Sequence, residues 1–152
     1  AMGARIEGIG TNQYTIHGGA PLRGCTHAIG PDHIEVGSFI GLAAVTRSAL
    51  RIADAGVEHL RMVLMGFERL GVRCQIDGPD LIVPADQDLR IRNDLGGHVP
   101  KLEDQPWPAF PADLMSIAIV MATQCEGLIL IHEKMFESRM FFVDKLVAMG
   151  AR

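Results

Sequence analysis

An α/β fold (α+β in some schemes) is expected from this sequence, built of repeated β-α-β-α-β-β units, roughly two of them, the second truncated. The expectation rests on a period, a stripe and a turn. Pro31 to Arg73 and Pro111 to Arg152 match at a shift of about 78 to 79 residues, and a fixed period of this kind marks a repeated structural unit. Leu60, Val63, Leu64, Phe67 and Leu70 recur at the spacing of one buried helix face. Asp77-Gly78-Pro79-Asp80, set between Cys74-Gln75-Ile76 and Leu81-Ile82-Val83, reads as the turn of a β-hairpin.

Residues 1–30 read as lead-in strands. Gly8-Ile9-Gly10 and Gly18-Gly19 flank strand-like pieces without forming Gly-x-Gly-x-x-Gly, so a dinucleotide fingerprint is absent. Leu22 to Ile29 is also strand-like, and Cys25 within it is expected to be a buried thiol. Residues 31–83 form the first unit. Pro31-Asp32 opens a small-residue apolar helix reaching Ala44-Val45-Thr46, Ser48 to Ile52 makes a short strand, and the striped helix follows until Gly71 ends it.

Residues 84–110 link the units, with a strand expected at Leu89 to Arg92 and then a long polar loop rich in Gly and Pro, of the kind usually kept for function or mobility. Residues 111–152 are the second, incomplete unit. Pro111-Ala112-Asp113 leads into a helix through Val120-Met121-Ala122-Thr123, Gly127 to Ile131 makes the strand, and a second helix closes at Ala148 to Arg152. No closing hairpin follows, so the chain reads as a fragment of one larger domain. Repeat edges left uncovered predict self-association.

Bulk chemistry narrows the function. With 152 residues, 48% hydrophobic and 21% charged, the chain supports a real core. A net charge of -4 gives no basic field, which argues against a nucleic-acid surface. The apolar runs around Ile117 to Ala122 and Leu128 to Ile131 fall far short of the ~20 residues a membrane span requires. Cys25, Cys74 and Cys125 are odd in number and far apart, which suggests neither disulfides nor zinc and fits a reducing cytoplasm. His27, His33, His59 and His132 show no ligand spacing, so no metal is assigned.

Two places depart from pattern. Residues 106–115 read PWPAFPADLM, where Pro106, Pro108 and Pro111 stiffen the backbone in front of a single acid, Asp113. That aspartate suits a helix N-cap, and it also suits a chemical role that needs a carboxylate at a defined point. In the second unit the stripe becomes Arg139, Phe142, Val143, Leu146 and Met149, so an arginine takes the slot Leu60 fills in the first. Its guanidinium either snorkels to solvent or meets a carboxylate or phosphate. Met135-Phe136-Glu137 beside it sets an aromatic ring next to an acid.

Four blocks, Ala4-Arg5-Ile6-Glu7-Gly8-Ile9-Gly10-Thr11, Pro31-Asp32-His33-Ile34-Glu35-Val36-Gly37, Trp107-Pro108-Ala109-Phe110-Pro111-Ala112-Asp113 and Phe136-Glu137-Ser138-Arg139, resemble in order and spacing the UDP-N-acetylglucosamine enolpyruvyl transferases. The wider family is shared with enolpyruvylshikimate phosphate synthase. The resemblance implies βαβαββ units arranged as an inside-out barrel around buried helices. It further implies a bacterial cytoplasmic enzyme of peptidoglycan precursor synthesis that transfers enolpyruvyl from phosphoenolpyruvate to the 3-hydroxyl of UDP-N-acetylglucosamine, releasing phosphate without metal or organic cofactor. On the same resemblance Asp113 is the proton-abstracting base and also contacts the sugar. Met135, Phe136, Glu137 and Arg139 line the substrate site. The family's Lys-Asn pair, its loop cysteine and its phosphoenolpyruvate-binding arginine have no counterpart here, so the isolated chain is expected to be inactive. Ala112 stands where the family commonly has threonine, and Met115-Ser116 replace its glutamine-rich pattern. Two other readings stay open: a non-catalytic sugar-nucleotide binding or scaffold module of the same fold, and an enolpyruvyl transferase for another acceptor.

Overall fold

A computed structural model describes residues 1–151; Arg152, the end of the expected last helix, lies outside the described residues. The chain divides into two compact units, Ala1–Gly30 and a second beginning at Pro31. In the first, β1 (Arg5–Glu7) pairs antiparallel with β2 (Thr15–His17), Ile6 opposite Ile16. Glu7 accepts from Arg5 at 2.9 Å and faces His17 at 3.0 Å. The expected strand at Leu22 to Ile29 does not form, and Cys25 is exposed rather than buried. A strand needs an edge that supplies hydrogen bonds; here Arg23 N–H reaches the Met2 carbonyl at 2.9 Å, but no ladder develops.

The second unit opens with α1 (His33–Val45). Asp32 Oδ1 accepts from Ile34 N–H at 2.8 Å, satisfying one of the free amides of the first turn. Asp32→Ala is therefore expected to cost roughly 0.5–2 kcal/mol in chemical denaturation, and Asp32→Asn almost nothing. After β3 (Leu50–Ile52) and a 3-10 turn, α2 (Arg61–Glu68) buries Val63 and Phe67 completely, with Leu60 and Leu70 just beyond its ends equally buried and Leu64 half-buried. Gly71 adopts φ +80, and a Cβ there would run into the Arg90 backbone. Hence the chain turns at that glycine.

β4 (Gln75–Asp77) and β5 (Asp80–Val83) form the hairpin. The three strands order as β3-β5-β4, all antiparallel, with Leu50 opposite Val83 and Ile76 opposite Leu81. Arg51 on β3 ties the turn by reaching Asp77 at 2.9 Å and Asp80 at 2.8 Å.

Beyond residue 84 the structure departs further from expectation. The strand foreseen at Leu89 to Arg92 is a single parallel bridge, Arg90 to Glu126. The loop region holds an unforeseen strand, β6 (Lys101–Glu103), which buries Leu102. α3 (Met115–Ala122) follows, and β7 (Leu130–His132) pairs parallel with β6; that strand was expected over Gly127 to Ile131. α4 (Val143–Ala148) starts later than the stripe implies, so Arg139 lies in the turn ahead of it rather than on its first turn. Phe142, Val143 and Leu146 are half-buried while Met149 is exposed. α1 and α3 pack closely because α1 carries glycines: a Cβ at Gly37 would lie 2.6 Å from Leu114 Cδ1, and one at Gly41 would lie 2.6 Å from Ile117 Cγ2. That contact holds Leu114, the residue after Asp113, fully buried.

Candidate active site

Residues 105–114 are braced at both ends. Gln105 N–H bonds to the Phe110 carbonyl at 3.2 Å, and Phe110, 3% exposed, sets its ring edge-on to Phe67 of α2 with centroids 5.9 Å apart. A Cβ on Gly66 would strike the Phe110 ring, so a glycine in α2 makes room for this anchor. Pro111 then leads into a 3-10 turn, Ala112–Leu114. Asp113 sits at its centre, between buried Ala112 and buried Leu114, and its side chain is turned outward.

Asp113 is not a helix cap. Neither the 3-10 turn nor α3 receives a side-chain capping bond. The physical reason is one residue: Asp32 directly follows Pro31, whereas Ala112 separates Pro111 from Asp113, which places Asp113 inside the turn instead of ahead of it. Its carboxylate Oδ1 instead accepts from Arg139 Nη2 at 2.8 Å. The Arg139 guanidinium also lies 4.5 Å above the Phe136 ring, an arrangement that holds it flat and aimed. Side-chain exposures of 62% for Asp113 and 39% for Arg139 leave the pair open to an incoming molecule. Such an exposed pair adds only ~0–1 kcal/mol to stability.

Asp113 and Arg139 face one cavity of about 270 Å³, walled by Met115, Ser116 and Ile119 of α3, by Glu133, and by Phe142. Of the five expected site residues, these two meet directly, Phe136 joins them through Arg139, and Met135 and Glu137 lie on the same segment without walling this cavity. A larger hollow of about 700 Å³ lies elsewhere, beside Arg69, Arg73, Arg90 and Arg92. Its arginines are each already paired, with Asp94, Asp86, Glu126 and Asp88 respectively, so it offers little charge to a ligand. Among the described residues no group of three or more His, Cys, Asp or Glu is placed to hold a metal ion. Burial pushes the Cys74 and Cys125 thiols up to about 11, which leaves them poor nucleophiles.

Sequence reasoning missed two acids behind the site. Asp104 is fully buried and accepts from the backbone N–H groups of Lys134 at 2.6 Å and Met135 at 3.2 Å. Glu133 leaves the adjoining strand end and lines the cavity. Next to them Glu103 stands between Lys101 at 2.6 Å and Lys134 at 2.9 Å, which, Lys101 foremost, hold its carboxyl down at about 2. Asp104 follows another acid in Lys101-Leu102-Glu103 and Glu133 follows His132 at the end of a short apolar run, patterns too common to read.

The family model for EPSP synthase (3-phosphoshikimate 1-carboxyvinyltransferase) matches residues 1–152. The chain belongs to the EPSP synthase family. Among curated relatives, the UDP-N-acetylglucosamine 1-carboxyvinyltransferase of Bradyrhizobium diazoefficiens is 75% identical over all of this chain and 35% of its own length. The enzymes of that name from Treponema denticola and Treponema pallidum are 56% and 59% identical, over 99% and 100% of this chain and 35% and 36% of theirs. The chain thus spans about a third of the length of the relatives it matches. The crystal structure of the enolpyruvyl transferase NikO from Streptomyces tendae superposes with a TM-score of 0.76 at 25% identity, covering 99% of this chain and 35% of that one. The mixed α/β architecture is thus shared with an enolpyruvyl transferase of known structure.

Proposed function

We propose that the protein carrying this chain transfers enolpyruvyl from phosphoenolpyruvate to the 3-hydroxyl of UDP-N-acetylglucosamine, in the cytoplasm, and that this chain supplies part of the sugar-nucleotide wall. The observation that carries the reading is the Asp113–Arg139 pair, 2.8 Å apart on a rigid turn and open to a cavity. The reaction adds O–H across the phosphoenolpyruvate double bond and then eliminates phosphate. Asp113 takes the hydroxyl proton as the sugar oxygen bonds to C2, and the methylene carbon gains a proton from an acid outside this chain. Loss of a methyl proton together with the C2–phosphate bond then restores the double bond. Arg139 orients Asp113 through a charge-assisted hydrogen bond until substrate takes its place. Phe136 holds Arg139, and Met135 and Glu137 complete the segment facing the nucleotide sugar. In this reading the two βαβαββ units, 31–83 and the incomplete 111–152, are successive repeats of one barrel domain.

The cavity, about 270 Å³, is smaller than the ~300–1,000 Å³ of ordinary ligand pockets and holds one wall of a site rather than a whole one. The isolated chain is accordingly expected to release no phosphate above a protein-free blank, because positioning and charge stabilisation come from both sides of a cleft. Exposed Phe141, Val147 and Met149 are expected to make it self-associate, which sedimentation at rising concentration reads directly. In the full-length protein, phosphate release with both substrates and a product heavier by one enolpyruvyl group support the reading. Sugar-nucleotide binding without turnover marks a binding or scaffold module, and turnover with another hydroxyl compound marks another acceptor.

A further inference from the structure

β6 and β7 run parallel with Glu103 opposite His132, so the residues that follow, Asp104 and Glu133, leave the two strand ends side by side. Asp104 is fully buried, its Oδ1 accepting from the Lys134 amide and its Oδ2 from the Met135 amide, which sets it beside Glu133, the residue just before them at the adjoining strand end. Two carboxyl groups bond to each other only when one of them carries a proton, because ionised carboxylates are acceptors alone. Glu133 Oε1 is buried without a hydrogen-bond partner, while the side chain borders the cavity that holds Asp113 and Arg139.

We propose that Asp104 and Glu133 share one proton, and that the pair positions the sugar-nucleotide wall: Asp104 clamps the Lys134–Met135 backbone, and neutral Glu133 leaves Arg139 to Asp113. The inference rests on the enolpyruvyl transferase reading of this site. An ionised Glu133 would repel Asp104 and compete with Asp113 for Arg139, loosening both arrangements at once. The electrostatics agree. Burial, and then the Asp104 charge, push the Glu133 carboxyl up against the opposing Phe136 N–H and Arg139. For Asp104, burial acts upward, but the bonds from Glu133, Lys134 and Met135 outweigh it and hold the group low.

The charged groups around the pair are Arg139 and Asp113 across the cavity, Lys101 and Glu103 on β6, and His132 and Lys134 on β7 and its exit; α3 lines the cavity with Met115, Ser116 and Ile119, and the segment before α4 with Met140 and Phe142. The two sign rules differ. Raised Glu133 contributes stability that is complete below the ordinary glutamate value near ~4.3 and is lost as pH rises through its folded value. Lowered Asp104 contributes stability that is complete above the ordinary aspartate value near ~3.9 and is lost as pH falls through its folded value.

The test compares the full-length protein with its Glu133→Gln variant, both in a His132→Gln background that removes the neighbouring imidazole. Glutamine donates to Asp104 but cannot ionise. The two proteins are expected to melt alike at mildly acidic pH, and the one retaining Glu133 is expected to melt lower as pH turns alkaline. Over the same range its KM for UDP-N-acetylglucosamine is expected to climb roughly fivefold, the worth of about one hydrogen bond, while that of the variant stays flat. Glu133→Met, which neither ionises nor donates, should share the flat profile with a lower Tm throughout. Parallel Tm profiles would overturn the shared proton, and diverging Tm with identical KM profiles would overturn the positioning role. Lack of turnover in the parent would refute the enzyme reading alone; the affinity for UDP-N-acetylglucosamine by calorimetry then replaces KM, and an affinity profile identical in the two proteins would overturn the positioning role in the same way.

Discussion

Asp113→Asn in the full-length protein is expected to lower turnover by about 10²–10⁴-fold with both substrates saturating, because on the proposed mechanism the amide cannot accept the sugar proton. Asp113→Ala is expected to fall by the same amount. Neither change costs more than ~1 kcal/mol of stability, since the side chain caps no helix and its ion pair with Arg139 is open to solvent. Equal stability in the two variants is a sharp expectation, because a capping aspartate would separate them. Asp32 provides the contrast: its removal should lower stability through the lost bond to Ile34 N–H while leaving saturated turnover near normal. Wild-type turnover in Asp113→Asn would return the proline-stiffened loop to a purely structural role.

Arg139→Leu is expected to weaken UDP-N-acetylglucosamine binding by about 1–3 kcal/mol, the range for losing a hydrogen bond to a charged group. Leucine preserves apolar contact with Phe136, and Arg139 sits in a turn rather than on a buried helix face, so the melting temperature should hardly move. Two signals therefore separate: affinity reports the guanidinium and stability reports the fold. Titration calorimetry of wild type and variant reads the first, thermal unfolding the second. Unchanged affinity with an unchanged Tm would make the pair with Asp113 an ordinary surface ion pair, and would shift the sugar-nucleotide contacts to Met135, Phe136 and Glu137.

A one-residue offset underlies both expected results. Pro31-Asp32 and Pro111-Ala112-Asp113 look like two versions of one helix start, and capping preference alone favours a cap in both. Whether an aspartate caps depends on its φ/ψ and on its distance from the first free amides. Inserting Ala112 moves Asp113 one residue forward, away from capping geometry, and leaves its carboxylate for Arg139.

The sequence by itself determined the elements whose causes lie within a few residues. α1 follows from Asp32 and the apolar run behind it, α2 from the stripe that buries Val63 and Phe67, the turn after it from Gly71, and the β4–β5 hairpin from Asp77-Gly78. The four family blocks, and with them Asp113 and Arg139 as residues to watch, were also legible, because motif order survives without coordinates. Only the tertiary structure decided how distant pieces meet. β6 spans three residues, too few to show a period, and it becomes a strand because β7, arriving across the α3 crossover, supplies its hydrogen bonds. That pairing also buries Asp104 and brings Glu133 to it, and the late start of α4 leaves Arg139 in a turn facing Asp113. Periodicity, capping and turn chemistry act between near neighbours and are written along the chain; strand pairing and buried charge contacts join residues far apart, and their energy exists only once the fold has brought them together.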